Sequence, residues 1–323
     1  MFEEETKAKA ELYAAIFLSV TCYAGSFAGV EPLHNQFFPA AVWAYALFAD
    51  NLVYRLSGAS PLVSRTGEFL ALASWSFVFS ALLELLNLRL GGWYYVNEPA
   101  TLSTRWAGLA LSWAAFLPSL FATSEFLRCT GLFGRLKMPA LKVTPGLLKA
   151  CYASGLALLL AALALPKLFW PLIFAAFFLL CEPLNYRLGL ASLLREWEGG
   201  LPAKTLRLAA AGLLCGLLWS AWNGAAGARW EYAFTLKAGP ALFGLPLFAY
   251  PGFSFFALEA YSLCSLASWL RAGKTWEDGA WPMPGRPPAP AVRYAAFLIL
   301  IVTSYIALRA VDAHTIKLYI GWI

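Results

Sequence analysis

Long apolar stretches broken by short polar ones run the whole length of this chain. Nine of them, near 11–29, 37–54, 68–87, 105–127, 147–166, 168–187, 206–223, 246–268 and 293–312, carry few or no charges. A helix of about 20 residues crosses a bilayer core of about 30 Å. The pattern therefore predicts an all-α fold, a polytopic transmembrane helical bundle of about nine spans.

The same pattern repeats. Residues 38–62 laid over 170–194 without a gap agree at 10 of 25 positions. Pro39 falls on Pro171, Tyr54-Arg55-Leu56 on Tyr186-Arg187-Leu188, and Ala59-Ser60 on Ala191-Ser192. Asp50 meets Glu182, so an acid precedes the tyrosine by four residues in both places. Further on, Asn87 leads into Trp93-Tyr94-Tyr95 as Asn223 leads into Trp230-Glu231-Tyr232. Pro118 to Glu125 then resembles Pro251 to Glu259. The expected organisation is a parallel duplication, four helices plus four plus one. A first repeat covers 1–140 and a second 141–270. A cytoplasmic proline-rich loop with a final span covers 271–323. Four helices per copy is an even number, so both copies insert the same way round, unlike inverted transporter repeats.

Composition changes the picture only by removing alternatives. Just 13% of the residues are charged, about half the share of an ordinary soluble domain. The net charge of +6 would point to nucleic acid in a soluble protein. Here Lys and Arg gather on one side instead: the N-terminal segment and even-numbered loops hold 17 of the 24. By the positive-inside rule this predicts a multi-pass protein of a bacterial inner membrane, N-terminus cytoplasmic and C-terminus extracytoplasmic, with no nucleic-acid partner. The acidic Met-Phe-Glu-Glu-Glu start lacks the basic region of a cleaved signal, so the first span is read as retained. Six scattered cysteines form no CxxC pair and read as packing residues. His34 and His314 are the only histidines and lie outside helix interiors. Haem held by paired histidines is therefore excluded, and neither a metal nor another cofactor is expected. Nucleotide-binding and zinc-hydrolase signatures are absent.

Ionisable groups at membrane depth are costly and are read first as functional. Asp50, Glu84, Glu125, Glu182 and Glu259 qualify. Asp50, Glu125 and Glu182, with Arg55 and Arg187 at the same level, are expected to form a structural polar cluster tying the copies together. Glu84 breaks the symmetry, because its counterpart is about Ser220. Together with Asn87 and the deeper Glu259 it forms the candidate catalytic set, a carboxylic acid keeping its proton in low dielectric. Trp93, Tyr95, Asn223, Trp230 and Tyr232 are the candidate ligand-binding residues. Their aromatic rings read either as an interfacial belt or as the wall of a lipid-accessible cavity whose faces stabilise a carbocation.

Trp222-Asn223 through Trp230-x-Tyr232, then Gly244-Leu245-Pro246-Leu247 and Phe255-Phe256, resembles the membrane lycopene cyclases, the small-subunit or fused type built from duplicated helical units. A fainter echo runs from Asn87 to Glu125. The resemblance implies proton-initiated chemistry on a carotenoid-like isoprenoid without a redox cofactor. The cyclases carry paired acids directly after Pro-Leu, however, where this chain has Phe248-Ala249-Tyr250 and no acid before Glu259. Over its whole length the chain resembles a family of bacterial polytopic inner-membrane proteins with F-P…Y-R and N-x-W-x-Y elements, which implies no particular activity.

Three functions follow as expectations. The first is binding or processing of an apolar isoprenoid or lipid, carotenoid- or quinone-like, within the bilayer. The second is a cofactor-free membrane subunit or anchor, with protein partners in a larger, respiratory-type complex. The third is a transporter.

Overall fold

A computed structural model of the chain describes residues 2–233, 239–271, 277 and 288–317. Most of the expected proline-rich loop, and the extreme C-terminus, lie outside the described residues.

The described chain is a helical bundle with a small β-ribbon at one end. Its first helices are α1 (Phe2–Phe27), α2 (Phe37–Ser57), the short α3 (Pro61–Ser64) and α4 (Thr66–Leu90), followed by strand β1 (Trp93–Val96). Next come α5 (Leu102–Cys129), α6 (Pro145–Ala164), the short α7 (Pro166–Phe169), α8 (Ile173–Leu188) and the short α9 (Leu193–Glu198). Helix α10 (Ala203–Ala225) leads into β2 (Arg229–Tyr232) and a two-stranded hairpin of β3 (Ala241–Leu242) and β4 (Leu245–Pro246). Helices α11 (Pro251–Leu270) and α12 (Pro290–Ala310) and strand β5 (Ile316–Lys317) complete the fold.

Eight stretches are long and apolar enough to cross a membrane, α7 and α8 running together as one. Helix α2, a ninth expected span, falls short of that apolarity. It is nevertheless among the most buried helices, wedged between α1 and α5. Its Asp50 and Asn51 lower its hydropathy, and both are at most 1% exposed.

Helices α2, α4, α5, α8, α10 and α11 surround the main core, while α1, α6 and α12 are far more exposed. Without a hydrophobic force between helices in lipid, close packing needs small residues at the contacts. Helices α10 and α11 meet at Gly212 and Gly216. A Cβ on Gly212 would lie 2.2 Å from the Phe253 carbonyl oxygen, and one on Gly216 as close to the Phe253 ring.

The two acids expected in a shared cluster occupy matching local positions. Asp50 accepts from the Ser60 hydroxyl (2.5 Å) and the Leu62 N–H, at the start of α3. Glu182 accepts from the Ser192 hydroxyl (2.6 Å) and the Leu194 N–H (2.9 Å), at the start of α9. Each long helix thus uses a buried acid to hold the N-terminus of the short helix that follows, where N–H groups lack intrahelical partners. Neither arginine serves these acids. Arg55 donates to Asn51 (2.9 Å), Arg187 lies over the Tyr152 ring, and Glu125 accepts from Arg128 (2.6 Å). The single salt-bridged cluster expected from the sequence is replaced by separate local contacts. The serine ten residues after each acid outcompetes the arginine five residues after it.

Candidate functional site

The site begins with two asparagines at helix ends. Asn87, in the last turn of α4, accepts from the N–H groups of Gly92 (2.8 Å) and Trp93 and donates to the Trp93 carbonyl (2.9 Å). Asn223, near the end of α10, exchanges the same pair of bonds with Trp230 (3.0 and 2.8 Å). Each asparagine turns the chain out of its helix and into a strand. Their amide groups bond to backbone, the Asn87 side chain also interacts with Glu84, and neither is among the residues lining the cavity described below. Asn87, expected in the catalytic set, and Asn223, expected to bind ligand, are thus placed at the two helix-to-strand turns beside the cavity.

The strands so placed pair antiparallel, Trp93 opposite Tyr232 and Tyr95 opposite Trp230, and β5 runs parallel along the other edge of β1. Side chains alternate along a strand, so Trp93, Tyr95, Trp230 and Tyr232 share one face. Tyr94 and Glu231 share the other, where the Tyr94 hydroxyl donates to Glu231 and Lys317 lies over the Tyr94 ring.

The inward face closes one end of a cavity of about 140 Å³. Eleven of its eighteen lining residues are aromatic, enough to surround a ligand with rings on several sides. Besides the strand residues they include Trp113 and Phe116 from α5, Trp219 from α10, and Phe253 and Phe256 from α11. Trp170 and Phe174, at the start of the α8 span, complete the set. Edge-to-face contacts join them: Phe116 with Trp219 at 4.9 Å, Phe174 with Phe256 at 5.7 Å, and Trp93 with Trp170 at 5.8 Å. Such contacts stiffen a wall. Gly92 makes one of them available, since a Cβ there would strike the Trp170 ring at 2.7 Å. On α5, Ser76 inserts into the helix ladder, donating to the Trp113 carbonyl (2.5 Å) and accepting from the Leu117 N–H (3.0 Å). That stitch lies one residue before Pro118 and fixes the turn carrying Trp113 and Phe116.

One carboxyl reaches this apolar chamber. Glu84 is 4% exposed, and its Oε1 accepts from Trp93 Nε1 (2.9 Å) and from the Tyr95 hydroxyl. Its Oε2 is buried without a hydrogen-bond partner. Two donors on one oxygen and none on the other orient the group, leaving a single position for an acidic proton or a reacting atom.

The other candidate acid lies elsewhere. Glu259 sits one turn beyond Phe256 on α11 and does not line the cavity, although both its oxygens are buried without hydrogen-bond partners. The segment 239–250 precedes α11. It forms a hairpin whose Phe243 and Gly244 both have positive φ, as a tight two-residue turn requires, followed by a short 3₁₀ turn. Leu245 points inward to the cavity, while Leu242, Phe243, Leu247 and Phe248 are exposed.

Outside the spans, Glu98 is pushed up to about 7 by burial, with Arg105 pulling the other way and Asp312 adding to the rise. Arg105 is itself held by Asp312 (2.6 Å). A raised carboxyl means that the folded chain keeps a proton the unfolded chain releases. Stability should therefore fall as pH rises from about 4.5 to about 7. Melting curves in detergent across that window should show the fall, and Glu98→Gln should flatten it. An unchanged slope in the variant would assign the pH dependence to another group.

Among the described residues, no three His, Cys, Asp or Glu side chains gather so as to hold a metal ion. Sequence reasoning missed Trp113, Phe116, Trp170, Trp219, Phe253 and Phe256. The three-residue spacing of Trp113–Phe116 and Phe253–Phe256, which puts each pair on one helix face, was the available signal. No protein-family model, curated protein or solved structure matches this chain.

Proposed function

We propose that this integral membrane protein binds the end of an apolar isoprenoid, carotenoid- or quinone-like, in the aromatic cavity and protonates it from Glu84. The observation that carries the reading is one half-satisfied carboxyl inside a chamber walled largely by aromatic rings. An alkene offers no polar handle, so a site for it needs shape, apolar walls and an acid shielded from competing water.

The chemistry balances without a redox partner. The Glu84 O–H bond breaks, an alkene π pair takes the proton to form a C–H bond, and the neighbouring carbon becomes a cation. Ring faces stabilise that cation through their quadrupoles. Loss of an adjacent proton back to the Glu84 carboxylate restores the acid, giving a rearranged or cyclised alkene of unchanged oxidation level.

Size sets a limit. A dry apolar cavity of about 150 Å³ holds a benzene-sized guest. The chamber thus suits one ring or the tip of a prenyl chain, and the remainder would lie in the bilayer past the half-buried Phe174, Phe253 and Phe256. The matching acid–serine and asparagine–strand arrangements support a duplicated chain. Its Lys and Arg distribution supports a bacterial inner membrane with the N-terminus cytoplasmic, which puts the cavity near the extracytoplasmic end.

The test is mass spectrometry, with an absorption spectrum, of lipids retained by the mildly detergent-purified protein. A stoichiometric isoprenoid is the expected result. Bulk phospholipid alone would count against the reading and turn attention to a subunit or transport role.

A further inference from the structure

A second, smaller chamber lies behind the aromatic one. It measures about 40 Å³ and shares Tyr95, Trp113, Phe116 and Trp230 with its neighbour, so these four side chains form a common wall. Its far side is polar, with Asn35, Gln36, Glu98, Ser112 and Arg229. A water needs roughly 10–15 Å³ by this measure and two to four polar partners. The chamber therefore has room for two or three waters, and the groups to hold them.

Only one member of the shared wall bonds to Glu84 from this side. The Tyr95 hydroxyl donates to Glu84 Oε1 and accepts from Trp113 Nε1 (3.4 Å). Burial and the adjacent Glu84 hold its phenol well above the usual range, so it stays protonated and can pass a proton only by giving one as it takes another.

We propose that the smaller chamber is a hydrated proton antechamber, and that it exchanges the Glu84 proton with solvent through the Tyr95 hydroxyl with Glu98 as the proton-holding group. This rests on Glu84 being the acid of the aromatic cavity. In the relay no bond to carbon changes. Glu84 gives its proton to the Tyr95 oxygen as the Tyr95 O–H proton passes through an antechamber water to the Glu98 carboxylate, and the reverse passage brings a solvent proton back to Glu84. Glu98 acts through others and is a positioning residue. The charged groups around it are Arg105 from α5, Asp312 beyond α12 and Arg229 from β2. The closed ring wall meanwhile keeps water itself away from a cation in the larger chamber.

The relay can be followed without substrate, by infrared spectroscopy of the whole protein in detergent during exchange from H₂O to D₂O. The Glu84 carboxyl stretch is identified as the band lost in Glu84→Gln, apart from those of Glu182 and Glu259. In the unmodified protein this band should shift promptly on exchange. In Tyr95→Phe and in Glu98→Gln it should persist unshifted at least about tenfold longer, corresponding to about 1.4 kcal/mol of added barrier. Ser112→Leu, which fills the antechamber without touching Glu84 or Tyr95, should slow it likewise and guards against a Tyr95 variant that fails to fold. A Glu84 band that exchanges equally fast in all three variants overturns the relay while leaving the acid in place. No Glu84 band at all means an ionised carboxylate, which overturns the protonation reading itself.

Discussion

Glu84→Gln should leave the bundle folded while slowing protonation of a bound isoprenoid by about 10²–10⁴-fold, the usual worth of a positioned general acid. The amide has nearly the volume of the carboxyl, and its oxygen can still accept from Trp93 Nε1 and the Tyr95 hydroxyl. The loss is therefore confined to the acidic proton. The rings around Glu84 then lower the energy of the cation, but they cannot create one.

The measurement is deuterium uptake into the retained isoprenoid after incubation in D₂O, read by mass spectrometry beside a melting curve. Carbon-bound deuterium in the unmodified protein, with none in the variant at equal melting temperature, is the expected outcome. Equal uptake by both would remove Glu84 from the chemistry. No other carboxyl among the described residues lines the chamber, so the protonation mechanism would go with it. A variant that fails to fold would return Glu84 to a structural role, tying α4 to β1.

The bundle was legible because its signal is long. Apolar runs of helix length locate the spans, and α4 and α10 begin and end within three residues of the expected ranges, whereas α1 begins nine residues earlier than expected, at Phe2. Glu84 was legible for a different reason: it is an acid where the matching position carries a small hydroxyl. What the sequence hid was partnership. Nothing in the run from Asp50 to Ser60 says that the serine, rather than Arg55, reaches the acid, because the choice depends on where the chain turns after the helix. Asn87 reads equally well as chemistry or as a strand anchor until the backbone of Trp93 is seen beside it. The cavity was hidden for a third reason. Its walls come from five helices and three strands, and aromatic residues are common throughout the chain, so spacing within one element cannot single them out. Glu98 lies in a loop between spans, where an acid is ordinary. Only its burial, and its place across a wall from Glu84, distinguish it.

Glu182→Ala should be severely damaging to stability, by at least about 3 kcal/mol. Glu182 is 1% exposed and accepts from Ser192 Oγ (2.6 Å), the Leu194 N–H (2.9 Å) and Ser262 Oγ (2.8 Å). Alanine leaves three buried donors, two at the start of α9 and one on α11, without an acceptor, at about 1–3 kcal/mol each, and adds a void. Against a total stability of about 5–15 kcal/mol, a loss of that size lowers the melting temperature sharply or prevents folding. Glu182→Gln separates shape from charge. Its amide oxygen keeps Ser192 and Leu194 satisfied, and the Ser262 hydroxyl can rotate to accept from the amide nitrogen, so the cost should fall to about 1 kcal/mol. Asp50→Ala should also be costly, because Asp50 accepts from the Ser60 hydroxyl and the Leu62 N–H and bonds to the buried Glu11 carboxyl. Melting curves of the three variants in one detergent check these costs. If Glu182→Ala melts like the unmodified protein yet loses deuterium uptake, the acid belongs to the chemistry, and the helix-anchoring geometry is incidental to it.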